Sequence, residues 1–114
     1  MGTLDNRVAI VTGGAQGIGG ASARKLAADG ARVLIADVDM DAAAENAERI
    51  RSAGGVAEML EVDITQPAQI SGMIERAVEL WGRLDILVNN AWSRKEQDGS
   101  ALTLTEAGVL AVMV

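Results

Sequence analysis

Five glycines fall within the eight residues 13–20, in the stretch "VAIVTGGAQGIGGASARKLAADG" that covers residues 8–30. They separate a run of β-branched and small apolar residues from a segment with helical spacing. No other feature constrains the fold as much. A strand that ends in a turn almost free of side chains and restarts as a helix is the opening of a βαβ unit. The glycines then stand at the carboxyl end of the strand and the amino end of the helix. In an open parallel sheet that is where ligands bind, and where unpaired helix N–H groups and the helix dipole attract an anion. Gly13 permits the tight turn, Gly17 lets a diphosphate approach the backbone, and Gly19 lets helix and strand pack closely. The alternative is a glycine-rich turn that binds nothing, and the surrounding pattern has to separate the two.

That pattern is regular. Residues 7–12 read as a buried strand, and 17–29 as a helix closed by Gly30. A second strand covers 32–36, an Ala-rich helix about 41–52 is stopped by Gly54 and Gly55, and a third strand covers 56–62. Thr65 is placed to cap the next helix, with Pro67 in its first turn, where a missing N–H costs nothing. Ile70, Met73, Ile74, Ala77, Val78 and Trp81 share one face of that helix, Gly82 ends it, and residues 84–89 form a fourth strand. Short strands alternating with single helices predict an α/β fold, here a Rossmann-like three-layer half-domain with a parallel sheet of order 3-2-1-4. Residues 1–92 make up this partial dinucleotide-binding domain. Residues 93–114 read as an exposed loop, "SRKEQDGS", and an apolar tail that starts another helix. Without a fifth strand the fourth is an open apolar edge. A homo-oligomer, or a completing partner chain, is then expected to contact the fourth strand, Trp92 and the tail.

Composition narrows the chemistry. The chain has 114 residues, of which 49% are hydrophobic and 2% aromatic, with no Phe and no Tyr, so the core is aliphatic as parallel sheets favour. A formal charge of -6 argues against a nucleic-acid or anionic-membrane surface, which needs a basic footprint. With no Cys and no His, disulfides, thiolate or imidazole metal sites and Ser/His or Cys/His catalysis are excluded, and no metal is expected. The apolar run is too short for a signal-peptide core, and Asn6 stands where a myristoylation signal needs Ser or Thr. The chain reads as soluble and cytoplasmic.

Two carboxylates mark strand ends. Asp37, after the second strand, is placed to accept both ribose hydroxyls of an adenosine and to repel a 2′-phosphate, which favours NAD over NADP. No basic residue stands at Gln16 or Val38 to neutralise that phosphate. The alternative for Asp37 is capping the next helix, although Asp39 and Asp41 are available for that. Asp63, after the third strand, can accept an adenine amino group, or simply build the turn.

Thr12-Gly13-Gly14-Ala15-Gln16-Gly17-Ile18-Gly19 resembles the T-G-x-x-x-G-I-G motif of the classical short-chain dehydrogenases/reductases. Asp63-Ile64 resembles their adenine-contacting pair, and Leu84-Asp85-Ile86-Leu87-Val88-Asn89-Asn90-Ala91 their fourth-strand motif L-D-x-L-V-N-N-A-G up to its last residue. The resemblance runs from Val8 to Ala91 and weakens through the tail. It implies a cofactor-binding set of Gly13, Gln16, Gly17, Ile18, Gly19, Asp37, Asp63, Ile64, Asn90 and Ala91, with NAD as cofactor and Asn89 tying the central strands together. Two departures stand out. Trp92 replaces the glycine that closes the Asn-Asn-Ala-Gly motif, and no catalytic Ser or Tyr-x-x-x-Lys follows. In the tail, "VLAVMV" resembles the family's V-L-A-V-N-L with Met113 in place of a catalytic Asn.

Three readings follow: the NAD-binding portion of an oxidoreductase that moves hydride between NAD and an alcohol or carbonyl, a non-catalytic dinucleotide-binding or interaction module, and an S-adenosylmethionine-type transferase. The Asn89-Asn90-Ala91 run and the glycine spacing speak against the third. No catalytic residue is assigned, since the chain has no Tyr, His or Cys to relay a proton. The 114-residue chain alone is therefore expected to show no NAD-dependent alcohol oxidation above background. Turnover that survives repurification and disappears on Gly17→Trp would reveal an unrecognised catalytic group.

Overall fold

The computed structural model describes residues 2–90 and 110–113. The first strand, β1 (Val8–Thr12), is buried at every position. Its aliphatic residues have one layer to pack against on each face. It is followed by α1 (Gly17–Ala28), β2 (Arg32–Asp37), α2 (Met40–Ser52), β3 (Val56–Glu61), α3 (Pro67–Trp81), β4 (Ile86–Asn89) and β5 (Leu110–Met113). All strand pairs are parallel and the order is β3-β2-β1-β4-β5. The expected 3-2-1-4 arrangement is present, extended by one strand.

Alternation along the strands divides the core into two layers. Ala9, Val11, Val33, Ile35, Ala57 and Val88 face α1 and α2, where Ala23, Ala27, Ala43 and Ala47 let helix and sheet approach closely. Val8, Ile10, Leu34, Ala36 and Leu87 face α3, which contributes Met73 and Ala77. Small residues on the helices replace the aromatic filling that the composition lacks.

Three local expectations are corrected. Gln66, not Thr65, is the N-cap of α3, with Pro67 in the first turn as expected. The Thr65 hydroxyl and N–H both donate to Asp63 Oδ1, at 2.7 and 2.9 Å, and this closes a turn ahead of the helix. β4 starts at Ile86 rather than at residue 84. The fourth strand is also not an open edge, and part of the tail is not helical. Residues 110–113 form β5, which pairs with β4 in the register Ile86↔Leu110 to Asn89↔Met113. The apolar run at the end of the chain satisfies the backbone groups that β4 offers, which removes the reason to expect a partner there. Trp92 and the rest of the tail lie outside the described residues.

At the amino ends of β1 and β4 a single carboxylate joins the strands. Asp85 Oδ2 accepts the Val8 N–H at 2.9 Å, and its oxygens also meet the guanidiniums of Arg83 (2.6 Å at the shortest) and Arg7 (3.4 Å). Burial opposes ionisation of Asp85. Hydrogen bonds from Arg83 and Val8, the charge of Arg83 and the Arg7 bond outweigh it and hold the carboxyl below its ordinary value of 3.8. A folded-state pKa below the unfolded one gives stability that is present above about pH 4 and lost as pH falls through the folded value. Asp63, lowered by its Thr65 hydrogen bonds, acts in the same direction. The urea midpoint should therefore drop between about pH 5 and about pH 3, and drop less in Asp85→Asn. Equal drops in the two chains would remove Asp85 as a source of the acid sensitivity.

Candidate functional site

The site lies where β1, β2 and β4 end together and their ladders stop, leaving backbone groups that need other partners. The Gly13 N–H extends the β1–β2 ladder by one bond, to Ala36 O at 2.8 Å. On the β4 side the Thr12 hydroxyl, on a residue only 2% exposed, accepts the Asn90 N–H at 3.0 Å and lies 2.8 Å from Asn89 Oδ1, to which it donates. This bond joins the two central strands, as the Asn-Asn-Ala resemblance implied for Asn89. Asn90 Nδ2 also reaches Gly13 O at 3.4 Å.

The chain then turns through glycines that cannot be replaced without strain. Gly13 and Gly17 have φ of 64° and 63°, a region that suits glycine. A Cβ on Gly19 would run into the Gly13 carbonyl oxygen and press on Asn90 Nδ2. Gly17 is the opposite case, with nothing within 4 Å of an added Cβ. One glycine seats the helix against the strand, and the other leaves room outside the loop. The N–H groups of Gln16, Gly17, Ile18 and Gly19 have no acceptor among the described residues, and no acidic side chain stands in the first turn of α1. Such amides and the helix dipole make a cradle for an anion.

Asp37 borders this cradle. Its Oδ2 accepts the Ala15 N–H at 3.1 Å and its Oδ1 the Asp39 N–H at 3.0 Å, and each oxygen keeps lone-pair capacity. The cap of α2 is Asp39, which accepts the Ala42 N–H at 3.1 Å. One strand further out, Asp63 Oδ1 is taken by Thr65, while Oδ2 makes no hydrogen bond among the described residues. Ile64 is half-buried against the α3-side core. Ile18 and Val38 are apolar yet 67% and 64% exposed, one at the start of α1 and the other just after Asp37.

The structure thus brings Gly13, Gly17, Gly19, Asp37 and Asn90 to the carboxyl end of the strands, with Gln16 at the N-cap of α1, Ile18 in its first turn, and Asp63 and Ile64 after β3. Ala91 lies outside the described residues. Sequence reasoning missed Asn46, on α2, which is 2% exposed and donates from Nδ2 to Gly14 O (2.8 Å) and Gly20 O (3.3 Å). Arg24 Nη1 donates to its Oδ1 at 2.9 Å. The signal was present: Asn46 falls in the helical stripe Ala43, Ala47, Ile50, where an amide must find partners inside. Among the described residues no group of three or more His, Cys, Asp or Glu side chains can hold a metal, and no helix is long and apolar enough to cross a membrane.

Comparison with known proteins covers most of this chain. The short chain dehydrogenase family model matches residues 7–113. An uncharacterized oxidoreductase of Methylorubrum extorquens is 45% identical over 92 residues, which are 80% of this chain and 37% of that protein. The crystal structure of a short chain dehydrogenase from Mycobacterium avium superposes with a TM-score of 0.78 at 42% identity, over 82% of this chain and 35% of that one. A short chain dehydrogenase/reductase from Burkholderia phymatum in complex with NAD gives a TM-score of 0.75 at 35% identity, over 80% and 32%. The chain spans about a third of the length of the relatives it matches.

The two glycine environments predict different responses to a methyl group. Gly17→Ala should cost only backbone strain, about 1–2 kcal/mol of unfolding free energy. Gly19→Ala forces α1 away from the Gly13 carbonyl and should cost about 3 kcal/mol, at the upper end of overpacking penalties. Urea denaturation of both variants checks the order, and a reversed order contradicts the packing described for Gly19.

Proposed function

This chain belongs to the short chain dehydrogenase family, and on that premise we propose that it binds NAD(H) and serves as the dinucleotide-binding portion of an oxidoreductase. The observation that carries the reading is the row of unaccepted amides from Gln16 to Gly19 beside an Asp37 carboxylate with lone pairs to spare. An acidic chain needs such a cradle, because backbone dipoles attract a diphosphate without Lys or Arg.

In this reading Gly13, Gln16, Gly17, Ile18 and Gly19 surround the diphosphate. Asp37 accepts the ribose hydroxyls, and Asp63 uses Oδ2 for the adenine amino group while Oδ1 holds the turn. Ile18, Val38 and Ile64 supply apolar surface for the nucleoside, which accounts for the exposure of the first two. Asn90 and Ala91 line the path toward the nicotinamide half, with Asn90 held by Thr12 and Gly13. Bound NAD supplies hydride acceptance, and NADH hydride donation, toward an alcohol or carbonyl. The residues of this chain bind and orient the dinucleotide. A proton relay and a substrate pocket are not assigned to any of them.

The test is a titration of the 114-residue chain with NADH and with NADPH. The Asp37 carboxylate meets an added dianion at a half-buried site open to solvent screening, so NADH should bind on the order of tenfold more tightly. Asp37→Ala should narrow the ratio and also weaken NADH, because Asp37 anchors Ala15. Equal titration curves for the unmodified chain contradict the role given to Asp37, and no binding of either contradicts the dinucleotide reading.

A further inference from the structure

The least protected part of an anion-binding loop is the peptide plane next to a glycine. Glycine allows that plane to turn over, and a turned plane points a carbonyl oxygen at the anion. In this chain the Gly14–Ala15 peptide is held on both sides. Its carbonyl is drawn inward by Asn46 Nδ2 at 2.8 Å, and its N–H is taken by Asp37 Oδ2 at 3.1 Å. The first holder comes from the middle of α2 and the second from the end of β2.

Asn46 can act in one orientation only. Arg24 offers donors alone, and the Gly14 and Gly20 carbonyls accept alone, so the amide oxygen must face Arg24 and the NH2 must face the loop. Asn46 is 2% exposed, its two bonds to the carbonyls are buried and its bond from Arg24 is half-buried. An apolar residue would continue the Ala43, Ala47, Ile50 stripe but leave the Gly14 carbonyl without its amide donor. The buried amide and its guanidinium therefore need a purpose beyond filling space.

We propose that Asn46 and Arg24 are positioning residues for the diphosphate-binding loop, keeping the Gly14 carbonyl turned inward so that the neighbouring amides alone face the ligand. The inference rests on the dinucleotide-binding reading and adds two residues outside the glycine motif. Arg24 acts through Asn46 by fixing the orientation of the amide. Asp37 keeps a second anchor, the Asp39 N–H, and so the ribose end of the site depends less on this clamp.

The experiment compares two ligands on the full 114-residue chain, ADP-ribose, which carries the diphosphate, and adenosine, which does not. Binding is followed by NMR titration, and folding of each variant by its thermal melt. Asn46→Ala should weaken ADP-ribose about fivefold or more, change adenosine less than about twofold, and speed hydrogen exchange at the Ala15 amide. Arg24→Met keeps the apolar stem and should reproduce the same selective loss at about two- to threefold. The double variant should be no worse than Asn46→Ala, since both residues act through one amide. If Asn46→Ala does not fold, Arg24→Met carries the test. Parallel loss of both ligands, or no loss of either, overturns the inference while the dinucleotide reading stands. Failure of the unmodified chain to bind ADP-ribose overturns both.

Discussion

A backbone group taken out of water must find a partner, and in this chain the demand is densest where β1 stops. Up to Thr12 the neighbouring strands supply the bonds, apart from the Val8 N–H, which the Asp85 carboxylate accepts. Beyond it β2 and β4 end as well, and side chains take over: Thr12 for the Asn90 N–H, Asn90 for the Gly13 carbonyl, Asn46 for the Gly14 carbonyl, Asp37 for the Ala15 N–H. The amides that follow, from Gln16 to Gly19, receive nothing from the described residues. The same rule that builds the strand end thus leaves a row of donors without acceptors among the described residues at the carboxyl end of the sheet.

The parts of this arrangement that local chemistry decides were legible in the sequence. Strand and helix alternation follows from hydrophobic period, and the close packing at Gly19 follows from where helix and strand must approach. Asp37 was legible as a strand-end carboxylate, though its hold on Ala15 was not, because that bond depends on how the loop folds back over β2. Thr65 was misread as a cap because Asp63 competes for its hydroxyl. β5 was missed for a different reason. An apolar run such as residues 110–113 suits a helix or a strand, and only the empty edge of β4, a tertiary feature, decides between them.

Charge explains a further economy in the design. With a formal charge of -6 the chain repels anions at long range, and screening confines that repulsion to within about 10 Å of each charge at moderate ionic strength. The cradle works at contact distance with fixed dipoles, so it loses little to the surrounding carboxylates. Asp37 is the exception placed on purpose, close enough to the loop to take one amide for itself. In the proposed reading, the carboxylate that accepts the ribose is thereby part of the scaffold around the diphosphate.

The bonds that close the site are also among the longest-range in the chain. Asn90 reaches back 78 residues to Thr12 and 77 to Gly13, across three helices and three strands. On a ribosome the glycine loop, Asp37 and Asn46 are all synthesised well before the residue that completes them. Until residues 86–89 have been added, β1 has a neighbour on one side only, and until residue 90 follows, the Gly13 carbonyl lacks its amide partner. A growing chain therefore passes through a stage in which the glycine loop exists without its far wall, exposed to water and to whatever assists nascent chains.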